Sequence, residues 1–189
     1  MNQKPHRGWY DRGYLPHCDR ADATQMITFR LADSLPRKVI LRILSTVDDD
    51  EVEKKRRFEE MLDNGYGSCV LKRERCAQIV IGALQYHDKE RYRLLEWVVM
   101  PNHVHVVYDR PKVAMETIIK TWKGYSSRMI RRYLGLTGDE KPLWQAGFHD
   151  RYARSEQHLM RMKAYVHFNP VKAGLVDDPL DWPYSSIHD

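Results

Sequence analysis

Cysteine is scarce in this chain, and its spacing excludes two common kinds of site. The sequence of 189 residues contains Cys18, Cys69 and Cys76, and no two of them form a C-x-x-C pair. The spacing therefore provides neither a zinc-finger ligand set nor an even disulfide framework. Sparse, unpaired cysteine is typical of proteins in a reducing compartment, so we expect a cytoplasmic protein.

Long hydrophobic runs and internal repeats are also missing. No segment approaches the roughly 18 apolar residues that a membrane-spanning helix needs, and the first residues, MNQKPHRGWYDRGYLP, lack the apolar centre of a signal peptide. We therefore expect no membrane span. The length predicts a single domain over residues 1–189, with an N-terminal extension at 1–22 and a C-terminal tail at 177–189.

Positive charge is present in moderate excess and is locally concentrated. The formal net charge is +5 and the sequence pI is about 9.1, which is compatible with an anionic partner. Residues 110–133 contain seven basic residues and one acidic residue, Glu116. This segment could bind phosphates, with Trp122, Tyr125 and Tyr133 stacking on bases. The alternative, an ordinary solvated helix face with its aromatic residues in the core, remains open.

The order of the predicted elements indicates an α+β fold. Apolar periodicity and turn residues predict strands at 25–31, 91–100, 103–109 and 147–154, and helices at 37–63, 72–86, 114–134 and 155–169. The two middle strands are joined by Met-Pro-Asn and predict a hairpin. This order is typical of a small antiparallel sheet with helices packed on one face.

The most informative segment contains two histidines, one residue apart, at the start of an apolar run. It is EWVVMPNHVHVVYD, residues 96–109. Side chains alternate between the faces of a strand, so His103 and His105 point the same way, and their imidazoles can hold one metal ion. The residues alone leave a simpler alternative open, which is a pair of half-exposed strand histidines without a metal.

A second candidate site lies in the predicted last helix, in AYVHFNP at residues 164–170. Tyr165 and Asn169 are four residues apart and so share one helix face. A tyrosine can act as a nucleophile, and an asparagine oxygen is a hard metal ligand. Here too an alternative remains open: Tyr165 could be a half-buried tyrosine with a hydrogen-bonded hydroxyl, and Asn169 could simply end the helix before Pro170.

Three motifs together resemble a known family. They are WVVMPNHVHVVYD at 97–109, LWQAGFHDRYAR at 143–154 and YVHFNPVKAGLV at 165–176, with a basic helix between the first two. In this order they resemble the single-tyrosine HUH transposases, and most of all the branch called REP-associated tyrosine transposases. The N-terminal segments RGYLPHCD and ITFRLADSLP also look like that branch, so the likeness covers the chain from about residue 7 to 187.

The resemblance implies a ferredoxin-like fold and a metal-dependent site. In this family the histidine pair, here His103 and His105, holds a divalent cation, Mg²⁺ or Mn²⁺, and Tyr165 is the catalytic nucleophile. Asn169 matches the position of a third metal ligand, which is often a glutamine. Because imidazoles bind metal only when neutral, activity should fall below about pH 6.

The resemblance also implies a reaction and a partner. The expected activity is cleavage and rejoining of single-stranded DNA near a REP-like hairpin, through a 5′-phosphotyrosine intermediate, by a monomer or a homodimer. The residues expected to contact DNA are Lys120, Lys123, Arg128, Arg131, Arg132 and Arg161. One alternative is a domesticated protein that binds hairpin DNA or RNA without catalysis. A histidine-triad hydrolase fits poorly, since Val107 occupies the position of its third histidine.

Overall fold

A computed structural model describes residues 6–11, 16–46, 51–136 and 142–189. The strands are β1 (Gly8–Asp11), β2 (Pro16–Asp19), β3 (Gln25–Arg30), β4 (Arg93–Val99), β5 (His103–Asp109) and β6 (His149–Tyr152). The helices are α1 (Arg37–Thr46), α2 (Glu51–Asp63), α3 (Glu74–Gln85), α4 (Met115–Tyr133) and α5 (Glu156–Lys172). Three short 3₁₀ turns lie at Val70–Lys72, Pro179–Asp181 and Ser186–His188.

The main sheet has four antiparallel strands in the order β4-β5-β3-β6. From β3 onward the chain runs strand, helices, strand, strand, helix, strand, and the first and third of these strands occupy the centre. This is the ferredoxin-like arrangement. The predicted α+β class with an antiparallel sheet is therefore confirmed. The predicted strands and helices also correspond to β3–β6 and α3–α5, with ends that differ by a few residues.

Alternation along β5 divides the sheet into two apolar faces. Val104, Val106 and Tyr108 are fully buried on one face, where they pack with residues of α3 and α4. Val107 lies on the other face, in a smaller cluster with Met162 and Val166 of α5. Since His103 and His105 alternate with the first set, they belong to the face that α5 covers.

The positions of the helices differ from the sequence prediction in one respect. We expected helices on one face, and α3 and α4 do form such a layer. Helix α5 instead packs on the opposite face, where Val98 of β4 and Val107 of β5 form an apolar cluster with Met162 and Val166 of the helix. A sheet with two apolar faces must be covered on both sides.

The long predicted helix over 37–63 is two helices, α1 and α2; the segment 47–50 between them lies outside the described residues. The last helix, in contrast, continues beyond its predicted end at Asn169 to Lys172, with Pro170 inside it. It ends where Gly174 adopts a left-handed backbone conformation, with φ of 65°. Asn169 therefore lies in helical geometry rather than at a helix terminus.

The N-terminal region contains a hairpin that patterning alone did not predict. β1 pairs with β2, and the carboxylate of Asp150 in β6 accepts a hydrogen bond from the backbone nitrogen of Cys18 at 3.1 Å and pairs with the ring of His17. Asp19 accepts a hydrogen bond from the backbone nitrogen of Met115 at 3.1 Å, at the start of α4. The hairpin is thus fixed to both the sheet and a helix.

The C-terminal tail covers the outer edge of the sheet. The backbone nitrogen of Val99 donates to the carbonyl of Tyr184 at 2.8 Å, and that of Trp97 donates to the hydroxyl of Ser186 at 2.8 Å. These contacts satisfy backbone groups of the edge strand β4, which would otherwise be open to pairing with another chain.

Candidate active site

The two histidines of β5 lie side by side in the interior, beneath α5. Each side chain is about 1% exposed, and their Nε2 atoms are 3.1 Å apart. Two nitrogens at right angles around one divalent cation, with bonds of about 2.1 Å, would lie about 3 Å apart. The distance between the imidazoles therefore fits a shared cation.

The hydrogen bonds around Asn102 determine which nitrogen of His103 carries the proton. The amide nitrogen of Asn102 donates to the carbonyls of Leu62 and Tyr66, each at 3.1 Å, so its amide oxygen must be the atom that faces Nδ1 of His103 at 2.7 Å. Nδ1 is therefore the donor, and the neutral ring has its lone pair on Nε2. This lone pair points toward His105, in the orientation that a metal ligand requires.

Burial keeps His103 neutral over a wide pH range. Desolvation lowers the pKa of His103 to about 3; the amide of Asn169 acts in the opposite direction, and the charge of Lys172 adds to the lowering. Protonation of His103 alone would therefore not cause the loss of activity below about pH 6 that we expected from the sequence. The second histidine is held by Thr28, whose Oγ1 lies 2.8 Å from Nδ1 of His105.

Tyr165 of α5 lies against the histidine pair in the same chain. Its ring contacts that of His105 edge-to-face, with ring centroids 5.2 Å apart. The hydroxyl is buried and makes no hydrogen bond among the described residues. Burial raises the pKa of this phenol well above its usual value, and the carboxylates of Glu59 and Asp63 raise it further. The phenol is therefore protonated at neutral pH.

Asn169, one turn after Tyr165, is fully buried, yet neither polar atom of its side chain has a hydrogen-bond partner among the described residues. The amide is close enough to raise the pKa of His103 and to lower that of Tyr165. An unsatisfied amide in the interior is costly and calls for an explanation. Its position beside Nε2 of His103 makes it a candidate third ligand for a cation.

The sequence analysis missed two further charged residues of this site. Asp63, the last residue of α2, has one carboxylate oxygen 3.9 Å from Nε2 of His103 and without a hydrogen bond; the other oxygen pairs with Nζ of Lys172 at 2.9 Å. Lys172 also lies 5.7 Å from the ring centroid of Tyr165. Asp63 is in a charge-dense segment that resembles a solvated face, and only the tertiary packing of α2 reveals it.

The donor set fits a divalent cation only if it includes an amide. Among the described residues, no group of three or more His, Cys, Asp or Glu side chains is arranged to hold a metal ion. Two imidazoles and the amide oxygen of Asn169 would leave the remaining positions to water or a phosphate oxygen. Two nitrogen ligands with one oxygen suit Mn²⁺ better than Mg²⁺, which prefers oxygen.

Glu96 of β4 fixes the position of α5 over the site. Its carboxylate accepts from Nζ of Lys163 at 2.9 Å, from the ring of His167 at 2.8 Å and from the hydroxyl of Ser186 at 3.0 Å. Although burial alone would raise the pKa of Glu96, Lys163 and His167 hold it below its usual value. Lys163 and His167 lie on either side of Tyr165 in sequence, so the carboxylate orients the helix turn that carries the tyrosine.

The basic residues of α4 lie on the other side of the sheet from the histidines. Lys120, Arg128 and Arg132 are exposed, and Arg131 is half-buried. Nζ of Lys123 binds the carbonyls of Gln145 and Gly147, at 2.5 and 2.9 Å, and so tethers a loop. These five predicted DNA contacts are therefore not adjacent to Tyr165. The sixth, Arg161, is exposed on α5, one turn before the tyrosine.

The aromatic residues of α4 divide between core and surface. Trp122 is buried and donates its ring N–H to the hydroxyl of Tyr92 at 2.7 Å, so it is a core residue. Tyr125 and Tyr133 are 43% and 52% exposed and could contact a partner.

Comparison with known proteins identifies the family. The model of the IS200-like transposases matches residues 70–169, more than half of the chain. The chain belongs to this family. The matched range includes the histidine pair, Tyr165 and Asn169. It confirms the family that the three sequence motifs resemble.

Two similar proteins belong to the REP-associated branch. A REP-associated tyrosine transposase of Escherichia coli is 28% identical over 97 residues, which are 51% of this chain and 55% of the relative. A protein of Haemophilus influenzae, provisionally described as a REP-associated tyrosine transposase, is 41% identical over 100 residues, or 48% of this chain and 56% of the relative. In each comparison, this chain spans little more than half the length of the relative.

A solved structure shares the fold. It is a REP-associated tyrosine transposase bound to a REP hairpin, with a TM-score of 0.57 and 19% identity over 95% of this chain and 82% of the other. Within the residues that the structure describes, no helix is long and apolar enough to cross a membrane.

Proposed function

We propose that this chain cleaves and rejoins single-stranded DNA beside a hairpin, through a covalent bond between Tyr165 and a 5′-phosphate. The observation that carries the proposal is the contact between Tyr165 and His105, which joins a buried phenol to paired imidazoles in one chain. The proposed cofactor is Mg²⁺ or Mn²⁺, held by His103, His105 and Asn169. Bound there, the cation would stabilise charge on the phosphate oxygens.

The proposed reaction begins with the protonated hydroxyl of Tyr165. The hydroxyl oxygen of Tyr165 forms a bond to phosphorus and loses its proton as the bond between phosphorus and the 3′-oxygen breaks. The 3′-oxygen takes up a proton and leaves as a hydroxyl. Attack by a 3′-hydroxyl on the phosphotyrosine reverses these changes and reseals a strand. The number of phosphoester bonds is conserved, so the cycle needs no ATP.

The surrounding charges support this chemistry. The raised pKa of Tyr165 keeps the phenol protonated at neutral pH, so the hydroxyl must lose its proton as its bond to phosphorus forms. The ammonium group of Lys172, above the phenol ring, would balance the negative charge of the phosphate. The contacts of Glu96 with Lys163 and His167 would keep α5, and with it the hydroxyl of Tyr165, in a fixed position relative to the phosphate during both displacements.

A denaturing gel tests the proposal directly. Incubation with a labelled DNA hairpin that carries a single-stranded flank, in Mn²⁺, should give a protein–DNA adduct. Tyr165→Phe should abolish the adduct but retain DNA binding, whereas Tyr133→Phe, at an exposed position of α4, should react like the wild type. Undiminished cleavage by the Tyr165 variant would refute the nucleophile. Hairpin binding without cleavage in any metal would instead indicate a non-catalytic hairpin-binding protein.

A further inference from the structure

The candidate active site is closed in this structure, although a substrate would have to enter it. The hydroxyl of Tyr165 and the side chain of Asn169 are buried, and His103 and His105 are each about 1% exposed. A DNA strand cannot bring a phosphate to Tyr165 while these atoms are covered. An element over the site must therefore move before the proposed reaction can begin.

Helix α2 covers the site with its acidic face. Glu59 and Asp63 are one helical turn apart and so point the same way. Burial raises the pKa of the Tyr165 phenol, and the charges of both carboxylates raise it further, so both lie close to it. One oxygen of Asp63 is also 3.9 Å from Nε2 of His103. The guanidinium of Arg151, on β6, is near enough to lower the pKa of the same phenol.

Two ion pairs hold α2 in this position. A carboxylate oxygen of Glu59 lies 3.2 Å from a guanidinium nitrogen of Arg151. At the end of the helix, Asp63 pairs with Lys172 of α5 at 2.9 Å. Among the described residues, neither apolar cluster of the core contains a residue of α2, which packs on α1 instead. The ion pairs, rather than the apolar core, therefore link α2 to β6 and α5.

The C-terminal end of α2 is anchored and can act as a pivot. The amide of Asn102 donates to the carbonyls of Leu62 and Tyr66, each at 3.1 Å, on either side of the helix end. Between them Gly65 adopts a left-handed backbone conformation, with φ of 68°. Rotation about this end would carry Glu59 away from the sheet and leave the last residue of the helix near the histidines.

Glu59 occupies the kind of position that a phosphate group would take. A carboxylate and a phosphodiester can both accept two hydrogen bonds from one guanidinium, so they compete for the same arginine. A carboxylate beside the nucleophile also repels an incoming phosphate, most strongly where both charges are buried. Freed from Glu59, Arg151 would present a cation next to Tyr165, where the DNA backbone must arrive.

We propose that α2 is an inhibitory cover, in which Glu59 occupies Arg151 until the phosphate backbone of a single-stranded DNA displaces it. The displacement exchanges one ion pair for another and uncovers Tyr165. Arg151 is then a substrate-binding residue, and Glu59 is a competitor for it. The identity of the displacing polyanion rests on the proposed function; the ion pair and the buried nucleophile do not.

Two substitutions that break the same ion pair should have opposite effects on DNA binding. Glu59→Gln should tighten the binding of a fluorescent stem-free oligonucleotide about fivefold, the equivalent of one partly exposed ion pair, because Arg151 loses its competitor. Arg151→Gln should weaken the binding by a similar factor, because a phosphate contact is lost. Fluorescence anisotropy in EDTA measures both affinities. If the pair only stabilised the fold, both variants would change the affinity in the same direction, and the proposal would be overturned.

Glu60→Gln is the matched control. The carboxylate of Glu60 pairs with Arg56 of the same helix, so the variant removes the same charge from the adjacent position without touching Arg151. Its affinity for the oligonucleotide should equal that of the wild type. Equal tightening by Glu59→Gln and Glu60→Gln would mean general charge attraction and would overturn the cover.

Hydrogen exchange detects the movement itself, independently of cleavage. Without DNA, Glu59→Gln and Arg151→Gln should each accelerate the exchange of the α2 amides, because each releases the helix. In the wild type, addition of the oligonucleotide should accelerate the exchange of the same amides. Slower exchange in α2 on addition of DNA would show that the helix closes on the strand, and the proposal would be wrong.

These measurements separate failure of this inference from failure of the proposed function. If the Glu59 and Arg151 variants shift the oligonucleotide affinity in opposite directions but the wild type forms no adduct, the catalytic proposal fails and the cover stands. If the adduct forms and the two variants shift the affinity alike or not at all, the cover fails alone. If no oligonucleotide binds to the wild type or to Glu59→Gln, both proposals fail.

Discussion

Two buried asparagines allow a direct test of the metal-ligand assignment, because one is satisfied and the other is not. Asn102 and Asn169 are both fully buried. Asn102 makes three hydrogen bonds, to Leu62, Tyr66 and His103, whereas neither polar atom of the Asn169 side chain has a hydrogen-bond partner in the described part of the chain. Leucine has the same branching and the same number of side-chain non-hydrogen atoms as asparagine but no polar atom, so it removes each amide with little change of shape.

The two substitutions should change stability in opposite directions. Leaving a buried polar group unpaired costs about 1–3 kcal/mol. Asn169→Leu removes such a group and should raise the free energy of unfolding, in EDTA, by about that amount. Asn102→Leu breaks three hydrogen bonds and leaves their partners unpaired, so it should lower the free energy of unfolding by about 3 kcal/mol or more.

Denaturant titrations with and without Mn²⁺ complete the test. At 100 times its dissociation constant a ligand stabilises the native state by about 2.7 kcal/mol. The wild type should show this gain, and Asn169→Leu should lose most of it despite its greater stability in EDTA. If Asn169→Leu were as destabilising as Asn102→Leu, its amide would be a structural group with partners, and the reasoning would be wrong.

Three further predictions concern the same site. In EDTA, the free energy of unfolding should fall by about 2 kcal/mol between pH 7 and pH 5, because the pKa of His103 is about 3 when folded and near 6.5 when unfolded, so the unfolded state binds more protons; His103→Gln should remove this part of the pH dependence in acid titrations. A mixture of His105→Ala and Tyr165→Phe proteins should form no adduct, since the contact lies within one chain; restored activity would show that subunits share sites. Glu96→Gln should lower the free energy of unfolding by about 1–2 kcal/mol and reduce adduct yield, measured by denaturation and gel assay, because its links to α5 weaken.

Local patterning predicted the parts of the fold that depend on nearby residues. The hairpin around Met100-Pro101-Asn102 and the face shared by His103 and His105 follow from alternation and turn chemistry, and both are present in the structure. The second face of β5 carries His103, His105 and Val107, and this mixed pattern does not state that a helix will cover it or which one. That choice depends on long-range packing.

The residues that sequence reasoning missed are those whose role depends on distance in space. Asp63 is forty residues from His103 and belongs to a helix whose charge pattern is that of a solvent-exposed surface. Lys123 was expected to contact DNA, and in the structure two backbone carbonyls accept hydrogen bonds from its ammonium group. In both cases the contacts of the charged group depend on neighbours that only the folded chain supplies, and residue type and spacing do not reveal them.

The distribution of unsatisfied polar atoms is itself an argument for a ligand at the histidine pair. In the described part of the chain, the hydroxyl of Tyr165, both polar atoms of Asn169 and one oxygen of Asp63 are buried without hydrogen bonds, and these three residues lie beside the histidine pair. Random imperfections of packing would be scattered through the core. A cost concentrated at one point is tolerated where a bound group restores the missing partners. The same atoms that weaken the isolated chain are therefore those through which it would hold a cation and a phosphate.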